Sequence, residues 1–175
     1  MRTLWLTALL LGGCTDGWWV QTETGETGDT PPVDDGCDGA LSAPSVGQVS
    51  FSQFVLDGVG LTVGFNNSLT HKDKPVACVG EQEVQFLAFL NDEPFAWFYF
   101  EPQTTGDFNV GGTGVVTVID VIGSNSPTLF ANSDFTAGSW TVYETGGTQI
   151  GQVINAVGIN NEHSLAFAMS YEFQP

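Results

Sequence analysis

The chain has 175 residues and a net charge of −17, set by 20 carboxylates against 3 fixed cations. Such a balance leaves almost nothing to neutralise phosphates, so nucleic acid is excluded as a partner, and so is adhesion to anionic lipid headgroups by charge. Thirteen Phe and five Trp make a large apolar core possible in one domain of this length.

The first element is an export signal. Arg2 leads into the apolar run Leu4 to Leu11, followed by Gly12, Gly13 and Cys14. A charged start, a short apolar stretch and small residues before a cut define a secretory signal. That stretch is too short to span a bilayer, which needs about 20 apolar residues. The quartet Leu11-Gly12-Gly13-Cys14 resembles the lipobox of bacterial lipoproteins, with Gly12 a less usual residue at its position. The resemblance implies cleavage before Cys14, lipidation of its thiol and acylation of its amine. It also implies a cell-envelope location with the acyl chains as membrane partner. Thr15 after the lipidated Cys, in place of an inner-membrane Asp, favours the outer membrane. Two or more acyl chains give a stable anchor.

Residues 1–13 are thus read as signal and 14–40 as a lipidated, disordered acidic linker. From about Thr15 to Asp38 the chain is rich in Thr, Gly, Pro and acids and poor in aliphatics. It has too little apolar area to offset the entropy of ordering, and its like charges extend it. Asp34, Asp35 and Asp38 lack the ladder spacing and closing Glu of a calcium loop. Trp18 and Trp19, close behind Cys14, suit the headgroup level of a membrane equally with an incidental place in the linker. With Cys14 acylated, Cys37 and Cys78 form an even pair in an oxidising compartment, which predicts a disulfide fastening the linker to the domain.

From residue 41 to 175 the pattern predicts a single all-β domain. Strands are expected over Val46–Leu56, Val59–Phe65, Gln82–Leu90, Phe95–Glu101, Val115–Ile122, Ser139–Glu144, Gln149–Val157 and Ser164–Phe173. The last alternates most cleanly: Leu165, Phe167, Met169, Tyr171 and Phe173 against Ala166, Ala168, Ser170 and Glu172. Asn91 to Pro94 and Gly146-Gly147 supply hairpin turns. About eight short hairpin-linked strands imply an antiparallel β-sandwich or a closed β-barrel.

Phe95-Ala96-Trp97-Phe98-Tyr99-Phe100 is apolar on both faces. A central strand covered on both sides accounts for this; an aromatic ligand site would draw on Trp97, Tyr99, Trp140 and Tyr143. Catalytic signatures are scarce: there is no nucleophile elbow, no zinc-protease motif and no phosphate loop. Gly58 to Gly60 and Gly111 to Gly114 precede strands and read as turns. His71 and His163 fall in polar stretches and read as solvated. Neither a metal nor a cofactor is expected. The expected function is a monomeric, non-enzymatic binding or structural module facing a protein or glycan. A carrier of an apolar ligand in a β cavity is the first alternative. A hydrolase using two carboxylates is the second, with Glu101, Asp107, Asp120 and Glu144 near strand ends.

Overall fold

The computed structural model describes residue 37 and residues 41–102, 104–124, 127–160 and 163–175. Cys14, Trp18, Trp19 and nearly all of the acidic linker lie outside the described residues.

Among the described residues fourteen strands follow in chain order: β1 (Val46–Leu56), β2 (Val59–Gly60), β3 (Val63–Gly64), β4 (Thr70–His71), β5 (Lys74–Pro75), β6 (Ala77–Val79) and β7 (Val84–Leu90), then β8 (Glu93–Pro102), β9 (Gly106–Asn109), β10 (Val115–Val121), β11 (Thr128–Phe130), β12 (Phe135–Thr145), β13 (Thr148–Asn160) and β14 (His163–Gln174). Sheet one has the order β2-β1-β14-β13-β12-β9. Sheet two has the order β11-β10-β8-β7-β3, with β6 also on β7. The strand pairs are antiparallel. The two sheets form a sandwich, and the closed-barrel expectation is corrected: neither sheet's strand order returns to its start.

The predicted strand Val59–Phe65 is in fact the crossing between sheets. Val59 and Gly60 pair with β1 in sheet one, whereas Val63 and Gly64 pair with β7 in sheet two. One apolar run therefore serves two sheets, with Leu61 and Thr62 at the corner. Strand β12 begins at Phe135 rather than Ser139, because register shifts on either side of Ala137 carry the pairing past Gly138. A bulge of this kind leaves the extra residue unpaired and hides the period-2 signal.

Alternation sorts the side chains. Leu165, Phe167, Met169, Tyr171 and Phe173 all face inward and are at most 2% exposed. Opposite them sheet two contributes Phe86, Phe98 and Phe100, each fully buried. Phe86 and Phe98 stack in parallel with centroids 4.9 Å apart. Phe98 also meets Phe51, Phe54 and Phe167, and Phe100 meets Trp140 at 5.2 Å. Each fully buried Phe contributes about 1.5–3 kcal/mol from area alone. Gly151 serves this layer by having no side chain: a Cβ there would lie 2.1 Å from the Tyr171 ring. Tyr171 covers that gap, and burial pushes its hydroxyl pKa up.

Candidate functional site

The strand that is apolar on both faces lies inside sheet two, between β7 and β10. Ala96, Phe98 and Phe100 point into the sandwich, while Trp97, Tyr99 and Glu101 are half-buried and point outward. Part of that outer face is covered. Val76, Leu87 and Phe89 form a second apolar cluster there, with Phe65, Leu69, Trp97 and Ile122 packed against it. The covering segment includes the β4–β5 hairpin, whose His71 ring meets the Trp97 ring edge-on at 6.2 Å. His71 is thus a packed residue rather than a solvated one.

Beyond Trp97 the outer face turns polar. Tyr99 registers opposite Gln85 on one side and Val118 on the other. The Tyr99 hydroxyl donates to Glu101 Oε2 at 2.7 Å, and Gln85 Nε2 donates to Glu83 Oε1 at 2.5 Å. Because Val84 pairs with Phe100, Glu83 and Glu101 are the next facing positions. Facing residues have Cβ atoms about 4.5–5.5 Å apart. Burial, and secondarily the charge of Glu101, raise the Glu83 pKa against the lowering effect of its hydrogen bond from Gln85. Burial, then the bond to Glu101 and the two negative charges, hold Tyr99 protonated far above its ordinary range. Across β8 on the same face, Asp120 registers with Trp97, and burial raises its pKa as well.

The four predicted aromatic residues therefore do not form one site. Trp97 and Tyr99 share a face. Trp140 is fully buried between the sheets, where Phe100 and Phe108 pack on it. Tyr143 is half-exposed on the outer face of sheet one. The four predicted carboxylates are also dispersed. Glu101 and Asp120 share the outer face of sheet two, but Glu101 is level with Val116. Four residues at about 3.3 Å each put them roughly 13 Å apart along the strands. Asp107 accepts a hydrogen bond from the Thr141 hydroxyl at 2.7 Å on sheet one. Glu144 stands at the end of the β12–β13 hairpin.

Glu83 and Gln85 were missed because both look like ordinary polar positions within the expected strand Gln82–Leu90, whose observed start is Val84. Only the cross-strand register puts them beside Glu101 and Tyr99. His163 departs from its expected solvation. Its Nδ1 lies 2.8 Å from Asp57 Oδ2, and Asp57 Oδ1 accepts from the Ser164 amide at 2.8 Å. The amide bond first, then His163, lower the Asp57 pKa. This cluster ties the β1–β2 turn to the start of β14.

The Cys37–Cys78 disulfide is present as predicted, joining residues 41 apart in sequence with Cα atoms 5.8 Å apart. Cys78 registers opposite Gln85, so Cys37 is fastened beside this face. An open groove of about 500 Å³ lies at the corner between the sheets, its floor formed by Val63, Phe65, Leu69 and Phe89. Among the described residues no group of three or more His, Cys, Asp or Glu is arranged to hold a metal. No family model matches the chain, and comparison with curated proteins and with solved structures likewise gives no match.

Proposed function

We propose that the chain is a lipid-anchored module of the cell envelope that contacts a neutral glycan through the outer face of sheet two. One observation carries the reading: Trp97 and Tyr99 stand side by side on one face with the acceptors Glu101, Glu83 and Gln85 in line. Ring faces stack on the apolar faces of sugars, and carboxylates accept from their hydroxyls. The acidic chain disfavours anionic polymers. Anchoring through Cys14 would hold this face at the membrane surface, with the linker as spacer. An interior filled by stacked aromatic rings favours recognition at the surface over carriage of an apolar ligand inside.

Retention on a panel of insoluble neutral polysaccharides tests the reading. Wild type should be retained, and Trp97→Ala and Tyr99→Phe should each weaken retention, Trp97→Ala by tenfold or more. Equal retention of wild type and Trp97→Ala would overturn it. The anchor is tested separately: Cys14→Ser should move the protein from the membrane to the soluble fraction, and persistence in the membrane would refute lipidation.

A second reading, carboxylate-based hydrolysis, has one specific observation in its favour. Glu83 and Glu101 face each other with unlike environments, one raised in pKa and one held by a Tyr hydroxyl. Pairs of this kind divide the acid and nucleophile roles in retaining glycosidases, whose carboxyl groups lie about 5–5.5 Å apart. Loss of sugar release in both Glu83→Gln and Glu101→Gln would promote this reading. Absence of release by the wild type from every polysaccharide that it binds would reject it.

A further inference from the structure

At the end of the sandwich where β12 turns into β13, a small cavity of about 80 Å³ opens between the two sheets. Gly146 and Gly147, with φ of 57° and 79°, form the hairpin turn, and Glu144 pairs directly with Gln149 across it. From sheet two come the β6–β7 turn with Glu81 and the segment after β8 with Thr104 and Thr105. Gln149 is only 7% exposed, and its Nε2 donates to the Glu81 main-chain carbonyl at a long 3.5 Å. Its Oε1, on a side chain lining the cavity, makes no hydrogen bond within the protein. A buried amide oxygen without a donor costs about 1–3 kcal/mol unless something bound there supplies the missing interaction.

We infer that this cavity is a divalent-cation site of the calcium type, formed by Gln149 Oε1, the Glu81 carbonyl, and the carboxylates of Glu81 and Glu144. Every one of these groups is an oxygen, and calcium takes 6–8 oxygen ligands, mixing carboxylates, amide or main-chain carbonyls and waters. The threonine hydroxyls extend the same chemistry. The volume suits an ion with one or two waters and falls well below the roughly 300 Å³ at which organic ligand pockets begin. The lining offers two carboxylates and no Lys, Arg or His, so an anion is disfavoured. Two carboxylates completed by neutral oxygens lack the sequence signature of a metal site, which is why the spacing of acids does not betray it. Glu81 lies in the β6–β7 turn of sheet two and Glu144 with Gln149 in sheet one, so the ion would bridge the sheets. Binding to the native state alone raises stability with ion concentration.

The test is calcium chloride titrated into the purified full chain, read by calorimetry and by thermal unfolding against an EDTA control. One binding event should appear, and at about 100-fold excess over Kd the melting temperature should rise by about 5–10 °C. Gln149→Leu removes the oxygen while keeping apolar volume, and should abolish the shift. Glu144→Gln, at an exposed hairpin position, should fold normally and weaken binding at least tenfold. An unchanged melting temperature in wild type would overturn the proposal. So would an equal shift in both variants, which would put the ion elsewhere on the acidic chain. A shift reproduced by sodium chloride of matched ionic strength would also overturn it, as charge screening only.

Discussion

The two outer faces of this sandwich are built from the same strand pattern and treated in opposite ways. Sheet one presents a row of small and polar side chains: Ser50, Ser170, Gln152 and Thr141 lie across four strands in register. Nothing in that row is bulky enough to need a cover, and its exposed apolar residues, such as Ile154 and Ile159, stand apart from it. Sheet two instead presents Leu87, Trp97 and Tyr99, and the chain spends a hairpin, a disulfide and the segment from Phe65 to Val76 around them. The lesson is that a second apolar face does not itself mark a ligand site. Its covered half is packing. Trp97 stands at the margin of the cover, and the half beyond it, where Tyr99 meets Glu101, is where recognition is to be sought.

The largest effects should come from the layer that both sheets share. Phe98→Ala removes the ring stacked on Phe86 and should cost about 3–5 kcal/mol. Trp97→Ala, one residue away but half-buried on the outer face, should cost distinctly less while reducing glycan retention more. Denaturant unfolding of both variants checks this pair; equal stability losses would mean that the outer face is core as well. Next comes the staple. Replacing Cys37 and Cys78 together by Ala opens a loop of 41 residues and should cost about 4 kcal/mol in the chain-entropy picture. Because Cys78 sits beside Gln85, amide exchange should rise first in sheet two rather than sheet one. Gly151→Ala comes third: the Tyr171 ring must move to admit the methyl group, at about 1–3 kcal/mol of overpacking. That loss should be relieved in the double variant with Tyr171→Leu, measured by the same unfolding experiment.

What the sequence made legible follows the same division. The inward face of β14 could be read directly, because Leu165 through Phe173 alternate without interruption and nothing covers their polar partners. The disulfide was legible once the lipobox resemblance set Cys14 aside and left Cys37 and Cys78 as an expected pair. Three things were not. The corner at Leu61 and Thr62 reads as one strand, since hydrophobic period carries no information about which sheet accepts the pairing. Trp97 and Trp140 look equivalent in sequence, yet one strand direction sends the first outward and the second into the core. Glu83, Gln85, Tyr99 and Glu101 become neighbours only through the β7–β8 register, which is fixed by the hairpin and by the bulge after Ala88. Local pattern predicts which residues are buried more readily than which exposed ones meet.

The smallest effect gives the sharpest view of the outer face. Glu83 and Asp120 are partly buried carboxyls whose pKa values rise on folding, above the ordinary 4.5 and 3.8. Between its unfolded and folded pKa each group binds more protons in the native state than in the unfolded one. Stability contributed by protonation therefore grows as pH falls from neutral toward those ordinary values, and is lost as pH rises through the folded pKa. Asp57 has the opposite sign: its pKa falls on folding, so its contribution is present above the unfolded value and disappears on further acidification. The wild type should accordingly be most stable on the mildly acidic side of neutrality. Glu83→Gln keeps an acceptor for Gln85 and removes the charge facing Glu101, so at pH 7 it should be neutral to slightly stabilising, by about 0.5 kcal/mol or less. Its stability should also vary less between pH 7 and 5, as read from melting temperatures across that range. Tyr143→Phe, made on the opposite sheet, should leave the pH profile unchanged. A flattened profile in that control would mean that the acid-side gain does not come from the Glu83 side of the sandwich.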